Sequence, residues 1–376
     1  MNIAISAADL CSQRIDGTRI YIKNVLNHLG EAEGAEDSFI IYLRGGINPK
    51  LDFQRLPNYS VRKTAPTRFW TQLKLPSELR SDRPDLLWMP LQTIPYNMPR
   101  GIKVVATIHD VAFRFFKKHF PLRDYVLLSM FTENAVKNAD RIIAVSENTK
   151  RDLIKEYGIS KEKITVVHHG YDSSLFNLER AQDLASISQV KKKYKIEYEY
   201  ILYAGAIQPR KNLSTLIKAF GILKQKSEFK NLKLVIAGSN AWCHEAVYKE
   251  AQSAPFSKDI LFTGTYETEE LPWLLGGAEV FVFPSLYEGF GIPLLEAMAS
   301  GTAVICADNS SLPEVGGDAP AYFMAEDYDA LASTIERVIG DDGLREKMVE
   351  RGIKRAGDFS WEKCASETLA AMKYQT

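Results

Sequence analysis

The sequence predicts an α/β protein of two successive Rossmann-like domains, each built on a parallel sheet. Three observations carry this expectation. The chain has 376 residues, more than one core of ordinary size accommodates. Short apolar runs alternate with amphipathic segments almost throughout, the pattern of parallel strands joined by crossover helices. The alternation breaks once, in a polar stretch at 173–197 that includes Lys191-Lys192-Lys193, and then begins again.

In the first series the apolar runs at 3–6, 39–43, 86–89, 104–108, 142–145 and 165–167 read as buried strands. Ile22, Val25, Leu26 and Leu29 recur at helical spacing after Gly17, and Leu153, Ile154 and Tyr157 do so before Gly158, a helix-ending glycine. The second series of strands lies at 200–204, 232–237, 260–262, 280–283, 303–306 and 321–324. The stretch at 173–197 reads as a linker with a variable helix. The expected division is a first domain at 1–175, a second at 176–358 and a terminal helix at 359–376.

Composition narrows the class. With 45% hydrophobic and 25% charged residues, the chain is globular rather than disordered. Lys+Arg and Asp+Glu both number 47, so overall charge gives no reason to expect nucleic acid. Residues 1–172 hold about six more basic than acidic side chains and the remainder about six fewer. That asymmetry fits an anionic acceptor or membrane surface next to the first domain, and equally fits surface variation. Cys11, Cys243, Cys306 and Cys364 form no close pair, as expected of reduced thiols in the cytoplasm. Residues 1–6 lead into a strand with no signal-peptide pattern, and no run reaches the ~18 apolar residues of a membrane span.

Ligands of open parallel sheets bind beyond the carboxyl ends of the strands, so residues just after each run are the ones to inspect. Pro284–Gly301 follows the strand at 280–283 directly. Gly289 and Gly291 let backbone amides approach a ligand closely, Pro293 suits a helix start, and that helix would aim its amide end at phosphate oxygens. Glu288 precedes the helix and Glu296 lies within it, two carboxylates suited to sugar hydroxyls. The second segment, Gly205-Ala206-Ile207-Gln208-Pro209-Arg210-Lys211-Asn212, also joins a strand to a helix, with Asn212 a plausible N-cap. Arg210 and Lys211 there would neutralise a diphosphate as its bond to a sugar breaks. The third is His109-Asp110, at the end of a strand in the first domain.

The first segment resembles the donor site of glycosyltransferase family 4, whose hallmark is two glutamates separated by seven residues in an E-G-F-G-[I/L]-P-x-x-E context. Glu288 and Glu296 match both positions. The resemblance covers nearly the whole chain and implies a GT-B fold, two Rossmann-like domains whose parallel sheets face a central cleft, and a retaining, metal-independent transfer. It implies that Glu296 binds the nucleotide ribose and that Glu288 contacts the transferred sugar. Around sugar and phosphates it implies Gly289, the amides of Phe290, Gly291 and Ile292, and Leu295. It puts Arg210 and Lys211 on the donor phosphates and His109 on the donor sugar, with Asp110 on the acceptor side; Arg114, in the segment directly after that pair, is expected on the acceptor side from its position. Gly17, Gly205, Gly238, Ser239 and Tyr266 also match its donor-side positions; for Gly238-Ser239 and Tyr266 a plain turn explains the residues equally well. The chain departs from the pattern at Ala206, where many members carry Arg, and in having one glycine, Gly17, where many have two.

The resemblance favours a nucleotide-diphosphate hexose as donor, GDP-mannose first and a UDP- or dTDP-sugar next, with no separate cofactor. The expected acceptor is a glycan or lipid-linked oligosaccharide in bacterial surface polysaccharide assembly, met in the cytoplasm or at the inner face of its membrane. Arg114-Phe115-Phe116-Lys117-Lys118-His119-Phe120 reads as a membrane patch, an acceptor groove, or aromatics packed inward beneath lysines; for Phe115 and Phe116 individually the packed reading is favoured. Asp327-Tyr328-Asp329 resembles a metal-binding D-x-D but precedes a helical pattern, which makes it a cap. His168-His169 has no partner at metal-ligand spacing, so no metal is expected. A nicotinamide enzyme would show G-x-G-x-x-G after its first strand, which is missing here. A sucrose-synthase-like enzyme with a small acceptor stays open. A silent sugar-nucleotide-binding module would be expected to lose Glu288, Lys211 or His109, and all three are present.

Overall fold

The computed structural model describes residues 1–32 and 37–373. These fall into two compact units, one made of Met1–Lys117, Pro121–Gly170 and the chain from Ser360, the other of Lys118–Phe120 and Tyr171–Phe359.

The first unit holds a fully parallel sheet of seven strands: β1 Asn2–Ser6, β2 Ser38–Arg44, β3 Tyr59–Thr64, β4 Leu86–Met89, β5 Lys103–Ile108, β6 Arg141–Ala144 and β7 Ile164–Val166. Their order is β3-β2-β1-β4-β5-β6-β7. The central strands are apolar on both faces because helices cover both, which is why they read as unbroken runs. β3 (YSVRKT) was not expected, because it is the edge strand and its residues are exposed or half-buried. An edge strand carries charge where a central one carries Val and Ile.

Helix Gly17–Leu29 buries Tyr21, Ile22, Val25, Leu26 and Leu29, and the Asp16 carboxylate caps it by accepting from the Arg19 amide at 3.2 Å. Helix Glu147–Tyr157 ends at Gly158 with φ +64°, the left-handed turn expected from its sequence. The terminal helix Trp361–Lys373 packs on Gly17–Leu29 within this unit. Buried Asp37 ties its end to the start of β1, taking the Met1 amino group at 2.7 Å and Lys373 at 2.6 Å.

The second unit holds six parallel strands: β8 Tyr200–Ala204, β9 Lys233–Ala237, β10 Ile260–Gly264, β11 Val280–Phe283, β12 Val304–Ala307 and β13 Ala321–Phe323. Their order is β10-β9-β8-β11-β12-β13, the doubly wound order in which the chain reverses direction across the sheet between β8 and β11. Helix Leu213–Leu223 buries Leu213, Leu216, Ile217, Phe220 and Leu223, as the spacing predicts.

The segment at 173–197 is more ordered than a linker. Asn177 and Asp183 cap helices Leu178–Ala181 and Leu184–Lys193, and both helices pack on helix Leu271–Gly276. At Gly276 a Cβ would lie 1.8 Å from the Ala181 carbonyl oxygen, so only glycine allows that approach. Polar capping residues made the stretch look unstructured from sequence.

Among the described residues no helix is long and apolar enough to cross a membrane. Asp327 caps helix Tyr328–Gly340, its carboxylate accepting from the Ala330 amide at 2.8 Å.

Candidate active site

In the second unit the loops after β8 and β11 meet where the sheet reverses direction. Backbone first: the Leu286 amide donates to the Arg210 carbonyl at 2.9 Å. Asn212 stands at the start of helix Leu213–Leu223 with φ +57°, but its side chain does not cap that helix. Its amide nitrogen donates instead to the carbonyls of Pro284 at 3.0 Å and Ala325 at 2.5 Å. The expected cap is thus a cross-loop tie, because a left-handed Asn points its amide away from the helix axis and toward β11.

Those ties set Arg210 and Lys211 against Glu288. The Lys211 ammonium lies 2.5 Å from Glu288 Oε1, and Arg210 Nη1 lies 3.4 Å from Glu288 Oε2. Arg210 also donates to the Tyr287 carbonyl, and the Lys211 ammonium sits 5.0 Å from the centre of the Phe283 ring. All three charged side chains are only 10–13% exposed. Burial pushes the Glu288 carboxyl up, yet Lys211 and then Arg210 outweigh it and hold the carboxyl below its ordinary value. Attraction therefore exceeds dehydration here. Removing one member of such a buried group costs on the order of 3–5 kcal/mol, because a charge is left uncompensated. Two cations against one carboxylate leave the cluster with a net positive charge, suited to a phosphate.

The Glu288 loop is held from behind by residues that the sequence did not single out. Ser310 Oγ accepts from the Glu288 amide at 3.0 Å, and Ser311 Oγ donates to the carbonyls of Glu288 and Phe290, at 3.0 and 2.8 Å. Both serines follow β12, so the strand-end rule pointed to them; their hydroxyls carry no motif. Gly291, φ +108°, stands at the start of helix Ile292–Ala299, which no side chain caps. Pro293 occupies the helix's second position, one later than expected. Leu295 is wholly buried in the core.

On the other side of β8, Gly205 and Gly238 pass in contact. The Gly205 amide donates to the Ala237 carbonyl at 2.9 Å, and a Cβ on Gly238 would lie 1.8 Å from the Gly205 oxygen. Ser239 is exposed, and its carbonyl accepts from the Ile207 amide at 2.9 Å. Glu296 does not join the ionic cluster. Burial pushes its carboxyl up to about 8, with Asp172 adding to the rise. Tyr266 is half-buried, and burial followed by the charge of Glu296 raises its hydroxyl. A neutral Glu296 both donates and accepts hydrogen bonds, which suits neighbouring hydroxyls.

In the first unit, His109 Nε2 is 3.0 Å from the Pro90 carbonyl, and its ring packs edge-on to Tyr21 at 4.9 Å. Burial lowers its pKa, while the Pro90 bond, Asp110 and Asp16 act the other way; the ring is neutral at pH 7. His169 packs beside it at 5.3 Å, sandwiched with Tyr21 and Trp361. Asp110 accepts from the Ala112 amide at 3.0 Å. Gly17 opens helix Gly17–Leu29. Arg114 pairs with Glu156 at 3.3 Å and lies over the Tyr157 ring. The inward packing favoured for Phe115 is not found: it is 40% exposed, and Ala112 and Phe113 are the buried residues of that helical turn. Phe116 is half-buried.

Comparison with known proteins decides the family. Residues 15–175 match the model for Glycosyltransferase Family 4, and residues 186–355 match that for Glycosyl transferases group 1. The chain is 30% identical over 281 residues to O-antigen chain mannosyltransferase B of Escherichia coli, covering 74% of this chain and 72% of that protein. The chain belongs to glycosyltransferase family 4. Among solved structures it is similar to sucrose-phosphate synthase from Thermosynechococcus elongatus, with a TM-score of 0.75 at 18% identity, over 98% of this chain and 97% of that one. It is also similar to Anabaena HepE in complex with UDP and glucose, with a TM-score of 0.74 at 16% identity, over 98% of each. The fold is that of the GT-B glycosyltransferases, and this glycosyltransferase holds a cluster of three largely buried charges at the β8–β11 reversal.

Glu296 supplies a pH test of this geometry. An acid whose folded pKa is raised contributes most stability below its ordinary value of 4.5 and loses that contribution as pH climbs through about 8. Glu296→Gln removes this loss. Thermal melting should show the variant gaining on the wild type as pH rises across that window; a difference that stays constant with pH contradicts the burial of Glu296.

Proposed function

We propose that this glycosyltransferase moves a hexose, mannose favoured, from a nucleotide diphosphate to a hydroxyl of a glycan or lipid-linked oligosaccharide in bacterial surface polysaccharide assembly. The observation that carries the donor half is the Arg210–Lys211–Glu288 cluster, cationic overall and buried at a strand-end reversal. The mannosyl preference and the polysaccharide setting are supported by the E. coli mannosyltransferase relative. A UDP-sugar donor is the alternative that the likeness to HepE supports.

In this reading the diphosphate lies against Arg210, Lys211 and the amides of Phe290, Gly291 and Ile292. Glu296 takes the ribose hydroxyls, with Tyr266 and the Gly205–Gly238 contact alongside. Glu288 orients Lys211 and touches the transferred sugar. As the anomeric carbon–oxygen bond breaks, its electron pair passes to the diphosphate, where the two cations meet the charge that a metal meets in other enzymes. The acceptor oxygen bonds to the anomeric carbon on the same face, which retains configuration, and its proton goes to the departing phosphate oxygen. His109, neutral and with its Nε2–H given to the Pro90 carbonyl, accepts at Nδ1 from a sugar hydroxyl, and Asp110 makes an acceptor contact. Lys211→Ala and Glu288→Gln should each lower turnover about 100-fold or more without unfolding the protein, measured as sugar transfer with GDP-mannose, UDP-glucose and dTDP-rhamnose. Near-normal turnover in either variant removes the assignment.

A membrane-bound acceptor has its own support in the first unit. Leu122, Val126 and Met130 repeat every four residues along helix Leu122–Asn138 and are 72%, 43% and 50% exposed. Exposed Tyr96 adjoins them through its hydroxyl, which donates to the Met130 carbonyl at 3.4 Å. Exposed Lys117 and Arg123 lie along the same segment. An apolar stripe edged with cations fits the interface of an anionic bilayer. Flotation with phosphatidylglycerol vesicles should carry the wild type and leave the double variant Leu122→Asp, Val126→Asp behind. A wild type that stays with the soluble fraction rules the membrane contact out.

A further inference from the structure

The first sheet reverses direction between β1 and β4, as the second does between β8 and β11. Beyond the carboxyl ends of β1 and β4 lies a cavity of about 170 Å³. Ser6 ends β1, Met89 ends β4 and Arg44 ends β2, and all three line it. Its polar wall is completed by Asp9, Thr71 and Thr93. Pro90, also in the lining, is the residue whose carbonyl holds His109. The cavity therefore adjoins the candidate catalytic histidine within the same unit.

Two features describe what the cavity takes. The first is size: a cavity of roughly 150 Å³ takes up benzene, so this one, at about 170 Å³ and open on one side, has room for a single ring at its mouth and none for an extended chain. The second is the pairing of opposite charges. The Arg44 guanidinium makes no hydrogen bond or ion pair with the described residues, and Arg44 stands exposed at the end of a strand whose five inner residues are buried. Among the described residues the Asp9 carboxylate has one long contact, with Arg19 Nη2 at 3.5 Å, while Arg19 makes its closer contact, 2.6 Å, with Asp16. A carboxylate beside a guanidinium gives strong acceptors and strong donors in one wall. That combination matches hydroxyl groups, each of which donates and accepts. A phosphate would meet Asp9 as well as Arg44, so the wall has no net positive charge to hold it. Met89, Pro90 and Ala8 supply the apolar surface on which the carbon face of a sugar ring rests.

The geometry points to a subsite for one uncharged pyranose ring of the acceptor, with Arg44 and Asp9 as the residues that select it. This inference rests on the glycosyltransferase reading above and adds that the acceptor's recognised ring is neutral.

Saturation-transfer NMR tests it on the intact protein, with methyl glycosides of mannose, glucose, rhamnose and N-acetylglucosamine, and with mannose 6-phosphate. GDP and UDP binding is followed in parallel by calorimetry. At least one methyl glycoside should bind the wild type at millimolar concentration, and Arg44→Ala and Asp9→Asn should each weaken it about tenfold. Nucleotide binding should not change in either variant, which also shows that both are folded. The proposal is overturned if no methyl glycoside binds, if mannose 6-phosphate binds and the neutral glycosides do not, or if both variants bind as the wild type does. Loss of nucleotide binding by the wild type would instead fault the donor-site reading, so the two failures are distinguishable.

Discussion

The Glu288 carboxylate, buried between Lys211 and Arg210, is the interaction on which the donor-side arrangement depends. Burying three ionised groups is unfavourable unless each is paired, and here the pairing spans two loops distant in sequence. The loop after β8 brings the cations and the loop after β11 brings the carboxylate. Neither loop holds the cluster alone. Asn212, Ser310 and Ser311 then fix the backbones on which the charges ride. Glu288 is accordingly a brace: neutralise it, and Lys211 and Arg210 are left facing one another with their shared counter-ion gone.

Both units place their chemistry by the same topological rule. A doubly wound sheet opens a crevice where successive connections depart to opposite sides. In the second unit that crevice receives a buried ionic cluster; in the first it receives a cavity with one cation, one anion and three hydroxyls. The difference follows from which residues end the strands. β8 leads into Gly205 and then the basic turn, whereas β1 ends in Ser6 and β2 in Arg44.

Much of the donor side was legible in the sequence, because glycines and adjacent charges at strand ends leave a strong local signal. Central strands such as β4, β8 and β11 were read with their observed bounds, since burial on both faces forces an unbroken apolar run. β3 was invisible for the opposite reason, being an exposed edge. The role of Asn212 was misread because a cap and a cross-loop tie use the same residue type, and only the φ of +57° separates them. Ser310 and Ser311 carried no signal beyond standing after β12, as a serine hydroxyl is defined by what it meets. The separation of Glu296 from the ionic cluster was likewise hidden: spacing puts both glutamates in one loop-and-helix unit, but not which of them a cation reaches.

The most direct test of the account is calorimetric titration of GDP, GMP, UDP and UMP into the wild type and Lys211→Met. If the cluster receives the donor's diphosphate, one nucleoside diphosphate binds the wild type about tenfold or more tightly than its monophosphate, and Lys211→Met abolishes that advantage. Equal binding of diphosphate and monophosphate, or an advantage that survives in Lys211→Met, would contradict it.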